Sequence, residues 1–213
     1  MRLVCGVGIN DADYVVQKKE PIGPVGFGKR KQKLIWICPF YLKWKNMLRR
    51  CYAPEAKEQL SYSASVVCDE WHLFSNFKRW MEQQDWQGKE LDKDLLVTGN
   101  KEYSPDTCVF VTHQVNIFLT ERTSMRGEYP IGVHFTKSNG KYRAYCNSVT
   151  NGKMIHLGFF SEPEAAHKAW LKYKLEQAHV LAKIEADQRV AEALIARYTN
   201  YQTETTSEDV LTC

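Results

Sequence analysis

The chain has 213 residues, of which 44% are hydrophobic and 12% aromatic, a composition that supports a folded core and excludes wholesale disorder. Its formal net charge of +4 permits a polyanionic partner without requiring one. No apolar run approaches the roughly 20 residues that span a bilayer, and the N-terminus lacks the pattern of a secretory signal. Because the seven cysteines are scattered, we expect reduced thiols and an intracellular location.

Residues 1–40 predict a short strand and then a basic loop. The segment "MRLVCGVGINDADYVVQ" favours a strand and a turn, and the Gly, Pro and Lys in "KKEPIGPVGFGKRKQK" favour a loop or flexible arm. Aromatic residues interleaved with lysine in "LIWICPFYLKWK" suit either a buried cluster or stacking on nucleic acid. Basic residues crowd the region before residue 50, as a solvated loop or a surface for a polyanion: Lys18, Lys19, Lys29, Arg30, Lys31, Lys33, Lys43 and Lys45.

Residues 41–123 predict mixed helices and strands. Apolar spacing in "YLKWKNMLRRCY" and "HLFSNFKRWMEQQ" predicts two amphipathic helices, with a short strand in "ASVVCDEW" between them. A strand over residues 90–94, a Gly99-Asn100 turn, an extended "SPDTCVFVT" and a helix in "HQVNIFLTER" then outline a ββα unit. A polar segment follows, and we place a domain boundary near Ser124. The inner face of the second helix is predicted to carry Leu73, Phe74, Phe77, Trp80 and Met81.

Residues 129–160 predict a three-stranded antiparallel sheet over residues 131–136, 141–150 and 153–159. The segments "SNGK" and "TNGK" are typical hairpin turns. Alternation assigns one set of side chains to the buried face, namely Val133, Phe135, Ala144, Cys146, Ile155, Leu157 and Phe159. It sends another set outward or to the rims, namely His134, Thr136, Arg143, Tyr145, Asn147, Lys153 and His156. Tyr142 suits either face.

From Pro163 to about Asn200 the sequence contains no glycine and no second proline, which predicts one long helix. Ser161 is the predicted cap, with Glu164 at capping-box spacing. The far half of such a helix packs on the first domain, on a second copy as a homodimer, or on nothing. Residues 201–213 are predicted to be a flexible tail. The apolar positions recur at helical spacing: Ala166, Trp170, Tyr173, Val180, Ile184, Ala191 and Leu194.

The motifs "GVHF", "GKYRAYC", "GKMIHLGFF" and "SEPEAAHKAW" together resemble the ethylene-response-factor (APETALA-type) DNA-binding domain over residues 132–182. The resemblance implies that the outward sheet face enters the major groove of duplex DNA, where Arg favours guanine and Asn favours adenine. Family members often carry Arg at the positions of His134 and Thr136 and Trp at that of His156, so weaker binding or different sites are expected here. The DNA-binding candidates are His134, Thr136, Lys137, Arg143, Tyr145, Asn147, Lys153 and His156.

The segment "LDKDLLVTGNKEYSPDTCVFVTHQVN" resembles the core of phage HNH endonucleases, with a match over residues 41–119. That chemistry needs a base and a divalent metal, here Mg²⁺ or Mn²⁺. The usual histidine base at the strand end is replaced by "DKD", and a carboxylate needs burial to become an effective base near neutral pH. The implied catalytic residues are Asp92, Lys93, Asp94 and Asn116, and the implied metal ligands are Asp92, Asp94 and His113.

A zinc site is a weaker alternative that uses four thiols. Zinc prefers four Cys or His ligands, but the sequence has no Cys-x-x-Cys pair, and free buried thiols are the simpler interpretation. The candidate ligands are Cys38, Cys51, Cys68 and Cys108.

The sequence thus predicts an α+β protein: a basic N-terminal segment (1–40), an HNH-like ββα domain with flanking helices (41–123), a DNA-binding domain with an extended helix (129–200) and a tail (201–213). Three functions remain open. They are a phage-type DNA-binding protein with a degenerate HNH-like domain, a metal-dependent DNA endonuclease, and a phage effector that binds a host protein. All three imply the cytoplasm of a bacterial host.

Overall fold

A computed structural model describes residues 3–22, 31–54, 64–120 and 128–208. Its contacts divide the chain into two compact units, Met1–Phe110 and Val111–Cys213. Helices and small sheets are mixed, which confirms the α+β class. The boundary predicted near Ser124 lies outside the described residues and stays a prediction.

The first unit begins with a β-hairpin where the sequence predicts a loop. Strands β1 (Gln17–Pro21) and β2 (Gln32–Ile37) pair antiparallel. Helix α1 (Pro39–Tyr52) follows as predicted, and β3 (Val66–Val67) lies in the predicted extended segment. After a 3₁₀ turn at Asp69–His72 come α2 (Phe74–Met81), β4 (Glu90–Asp92), β5 (Glu102–Tyr103) and β6 (Val109–Val111). Strand β3 pairs parallel with β5, and β4 pairs with β6.

The core of the first unit is aromatic. Trp44 and Trp71 are both fully buried, and the indole Nε1 of Trp44 donates a hydrogen bond to the carbonyl of Trp71 at 2.7 Å. The aromatic residues of "LIWICPFYLKWK" therefore separate, since Tyr41 and Trp44 are core residues and Trp36 is 44% exposed. Leu73 is also exposed, because α2 begins one residue later, so its predicted place on the inner helix face is wrong.

The second unit contains α3 (His113–Leu119) and the predicted three-stranded sheet. Strands β7 (Val133–Thr136), β8 (Lys141–Asn147) and β9 (Met154–Phe160) are antiparallel in the order β7-β8-β9. Gly140 and Gly152 have positive φ angles of 64° and 69° in the two turns. Such dihedrals are those that Asn-Gly hairpin turns supply. The hairpin prediction is therefore confirmed.

The predicted single helix is two helices, α4 (Pro163–Ala182) and α5 (Gln188–Glu208). A carboxylate oxygen of Glu185 accepts hydrogen bonds from the backbone amides of Ala186 and Asp187, and Asp187 accepts one from the amide of Arg189. These side chains satisfy donors that a continuous helix would bond to carbonyls, so the chain turns without glycine or proline. Ser161 is not the cap of α4 either, because Glu162 occupies that position.

Helix α5 packs against α4 and buries Val190, Leu194 and Tyr198. Part of the apolar stripe that suggested a homodimer is therefore covered within the chain, and a homodimer stays a prediction. Helix α5 also continues through Glu208, where the sequence predicts a tail. None of the helices in the described residues is long and apolar enough to span a membrane.

The buried side chain of Lys174, in α4, contacts α3. Its side chain is 7% exposed, and its Nζ donates a hydrogen bond to the carbonyl of Phe118 at 2.7 Å. The same ammonium lies 3.4 Å from the ring centroid of Phe118 and 5.0 Å from that of Tyr198. The ring faces and the carbonyl replace the water that this charge loses on burial.

Candidate nucleic-acid interface

The sheet of the second unit presents one face to solvent, here called the outer face. Strand register places its side chains in four cross-strand rows, because directly opposed residues share a face. The rows are Thr136–Lys141, His134–Arg143–Phe159, Tyr145–His156 and Asn147–Met154. His134, Asn147 and His156 are exposed, and Arg143 and Tyr145 are half-buried.

A β-bulge in β9 changes one predicted assignment. Ala144 pairs with Gly158 and Tyr145 pairs with His156, so Leu157 is an extra residue in β9. An inserted residue reverses the alternation beyond it. Phe159 therefore lies on the outer face, 46% exposed, and its predicted burial is wrong. Tyr142 lies opposite Phe135 and shares the face of the fully buried Ala144.

Arg143 lies at the centre of the outer face. Its guanidinium carbon is 5.2 Å from the ring centroid of Tyr145, and the rings of His156 and Phe159 are 4.7 Å apart. Within the described residues, the buried Nε of Arg143 has no hydrogen-bond partner. With Met154, these residues line a shallow depression of about 250 Å³. The site therefore combines an apolar and aromatic floor with a guanidinium.

The charge of this sheet is wholly positive. Residues 129–161 contain no Asp or Glu, and they carry Lys137, Lys141, Arg143 and Lys153. Lys137 and Lys153 are exposed. Lys137 directly follows β7, and Lys153 directly precedes β9. A surface with one sign of charge attracts a polyanion over the range that salt allows. The absence of acidic residues from 129–161 could be read from the sequence, but the net charge of +4 averages over the whole chain and does not show it.

Side chains of α3 and α4 contact backbone groups that flank the strands of the sheet. Gln177 accepts a hydrogen bond from the backbone amide of Val149, and Gln114 donates one to the carbonyl of the same residue. Next to the start of β7, at the same end of the sheet, His167 Nδ1 lies 2.9 Å from the carbonyl oxygen of Ile131, and its ring stacks on Trp170. Side chains of both helices are therefore bonded to the backbone at the end of the sheet where β7 begins and β8 ends.

The predicted nuclease residues of the first unit organise a loop. Asp92 Oδ1 accepts hydrogen bonds from the backbone amides of Asp94 and Leu95 at 3.0 and 2.8 Å. Lys93 is only 5% exposed, and its Nζ donates to Asp94 Oδ2 and to the carbonyl of Asn100, each at 3.1 Å. Asn100 closes the loop through 2.6 Å bonds to the carbonyls of Lys93 and Glu102.

Burial, and then the neighbouring Asp94 carboxylate, raise the pKa of Asp92, against the opposing effect of its two backbone hydrogen bonds. The other predicted residues of that site, His113 and Asn116, belong to α3 in the second unit. The predicted catalytic set is therefore divided between the two units. Among the described residues, no group of three or more His, Cys, Asp or Glu side chains is placed to hold a metal ion.

The four candidate zinc ligands are free thiols. Burial raises the pKa of Cys51 to about 11 and that of Cys108 to about 12, and it also raises the pKa of Cys68. The Sγ of Cys38 lies 3.8 Å from the hydroxyl of Tyr14. Cysteine binds a metal as the thiolate, and burial disfavours that form at Cys51 and Cys108.

Comparison with protein-family models, with curated proteins and with solved structures finds no match to this chain.

Proposed function

We propose that this chain is a phage-type DNA-binding protein of the bacterial cytoplasm that engages duplex DNA through the outer face. One observation carries the proposal: an exposed, acid-free sheet face has Arg143 at its centre and lysines at its rims. The resemblance to the ethylene-response-factor domain supports the same function from the sequence motifs.

The arrangement suits both affinity and specificity. Lys137 and Lys153 supply phosphate contacts, which position the sheet without selecting a sequence. Arg143 presents a planar fork that matches the N7 and O6 acceptors of guanine, and Asn147 suits adenine. Met154 and Phe159 add exposed apolar surface, which contacts the methyl group of thymine.

The test is equilibrium binding of fluorescent duplexes by anisotropy, over a series of salt concentrations. A bidentate arginine–guanine contact contributes about 1–3 kcal/mol, so Arg143→Ala is expected to weaken binding to the preferred duplex about 5- to 150-fold. Arg143→Lys keeps the charge but not the fork, so it should lose sequence preference more than affinity. Arg79→Ala, an exposed arginine of the first unit, is the matched control.

Two results would refute the proposal. One is the absence of affinity for any duplex at low ionic strength. The other is binding that Arg143→Ala and Arg79→Ala weaken equally, because the outer face would then have no special part in it.

A second candidate function, a metal-dependent DNA endonuclease, is favoured by Asp92. Its raised pKa is the property that a carboxylate needs to act as a base. Incubation of supercoiled plasmid with Mg²⁺, Mn²⁺ or a chelator tests it. Metal-dependent nicking that Asp94→Ala abolishes would support catalysis. Asp92→Asn keeps an oxygen that can accept the two backbone hydrogen bonds, so its loss of activity would reflect chemistry rather than folding. The absence of nicking with either metal excludes this candidate.

A further inference from the structure

The β1–β2 hairpin, residues 17–22 and 31–37, is here called the basic hairpin. Every residue in it is exposed except Gln17 and Ile37 at its base, which are half-buried. Its ladder continues past the strands, because the amide of Ile22 donates to the carbonyl of Lys31 at 2.8 Å. It is thus an ordered two-stranded ribbon with both faces in water.

The charge of the basic hairpin is nearly all positive. It contains Lys18, Lys19, Lys31 and Lys33, and Glu20 is its one acid. In the part of the chain that the structure describes, none of these lysine ammonium groups forms a salt bridge. Ammonium groups with no salt-bridge partner among the described residues can attract an external anion.

The register places Lys18, Lys31 and Lys33 on one face of the ribbon and Lys19 on the other. Lys18 lies opposite Trp36, and its Nζ is 6.0 Å from a ring centroid of that indole. Lys33 lies opposite Glu20, which is two residues beyond Lys18 along β1, and the register shifts between Lys18 and Lys19. Lys31 follows at the next repeat, so Lys31 and Lys33 are about 7 Å apart along the strand. Positive charge therefore lies on both faces of the ribbon, with the acid Glu20 opposite Lys33.

Three consecutive apolar side chains of β2 are also exposed. Leu34, Ile35 and Trp36 are 44%, 48% and 44% exposed, respectively. Three adjacent exposed apolar side chains are not typical of a purely solvated loop. Exposed apolar clusters of this kind mark interaction surfaces. Because lysines flank the run on both strands, the matching partner carries dense negative charge beside apolar groups. Duplex DNA offers phosphates together with sugars and thymine methyl groups.

We propose that the basic hairpin is a second DNA-contacting element, which lies in a groove of the duplex with its lysines on the phosphates. The major groove admits a two-stranded β-ribbon. This inference rests on the proposed DNA-binding function, but it concerns different residues in the other unit. The hairpin contributes affinity without sequence preference, whereas the outer face contributes both.

The test compares two variants of the full chain that lose equal charge. Lys18→Gln/Lys19→Gln/Lys33→Gln removes three charges from the hairpin, and Lys101→Gln/Lys172→Gln/Lys183→Gln removes three exposed charges elsewhere. Each phosphate contact contributes about 0.9 to the slope of log K against log salt. We expect the hairpin variant to lower that slope by about 2.7 on every duplex sequence, and the control to leave it nearly unchanged.

Trp36→Ala provides a second measurement that leaves the charge unchanged. It should weaken duplex binding several-fold with little change in the salt slope, because an apolar contact releases no counterions. Equal slopes for the hairpin variant, the control variant and the unmodified chain would overturn the inference while the outer-face proposal stands. If the unmodified chain binds no duplex at low salt, both proposals fail.

Discussion

Gly132 offers the sharpest test of how the sheet is built on α4. Its φ angle is +81°, and a Cβ placed there would overlap the ring of Trp170. Gly140 is the matched control, because its φ angle is +64° and a Cβ there meets nothing within 4 Å. Substitution by alanine thus imposes backbone strain at both positions, but it imposes a clash only at Gly132.

The expected costs follow from these differences. Left-handed backbone costs an L-residue about 1–2 kcal/mol, so Gly140→Ala should lower the free energy of unfolding by about 1 kcal/mol. Gly132→Ala adds the cost of overpacking, about 1–3 kcal/mol, for a total of about 2–4 kcal/mol. The assay is hydrogen exchange of peptides from residues 129–160 across a urea series, which isolates this sheet from the first unit. Equal effects of the two substitutions would refute the packing of Trp170 against Gly132.

Three further predictions concern other parts of the chain. Leu194→Ala removes a fully buried side chain from α5 and should cost about 3 kcal/mol, as measured by urea unfolding; a change near zero would contradict the α4–α5 packing. Asp187→Ala removes the hydrogen bond that the backbone amide of Arg189 donates to Asp187, and it should lower the free energy of unfolding by about 1 kcal/mol. Arg189→Ala leaves that hydrogen bond intact, so it should lower the free energy of unfolding by less. Burial raises the pKa of the Cys108 thiol from 9.0 to about 12. As pH rises, the thiol therefore ionises first in the unfolded chain. The stability that the buried thiol contributes is complete below pH 9 and is lost between pH 9 and 12. Cys108→Ala should therefore flatten the decline of stability over that interval, and an unchanged slope would contradict the raised pKa.

Local signals in the sequence predicted the strands and turns that depend on a few neighbouring residues. The two Asn-Gly turns are examples, because Gly140 and Gly152 have positive φ angles, which few residue types other than glycine adopt readily. Alternation likewise placed His134, Arg143, Tyr145 and Asn147 outward, since β7 and β8 pair in regular register up to the bulge.

The predictions that failed depended on competition between local and distant interactions. A glycine- and proline-free segment was expected to stay helical, but Glu185 and Asp187 bond the backbone and allow α5 to bury Leu194. An Asp three residues before the buried Val190 is a helix-start signal that could have revealed this break. The ribbon of β1 and β2 was hidden by its Gly- and Pro-containing connection. The two strands pair across that connection. Local strand propensity does not predict such pairing between separate segments.

The extra residue at Leu157 makes the outer face tolerant of a change in strand length. Removal of Leu157 would restore strict alternation, because Gly158 would stay opposite Ala144 and Phe159 would stay opposite Arg143. Loss of that residue should therefore shorten β9 without replacing a side chain of the outer face, whereas loss of a residue outside the bulge would shift the register and exchange the side chains of the two faces. Among descendants of a common ancestor, Leu157 is a position at which β9 can lose a codon and keep its surface.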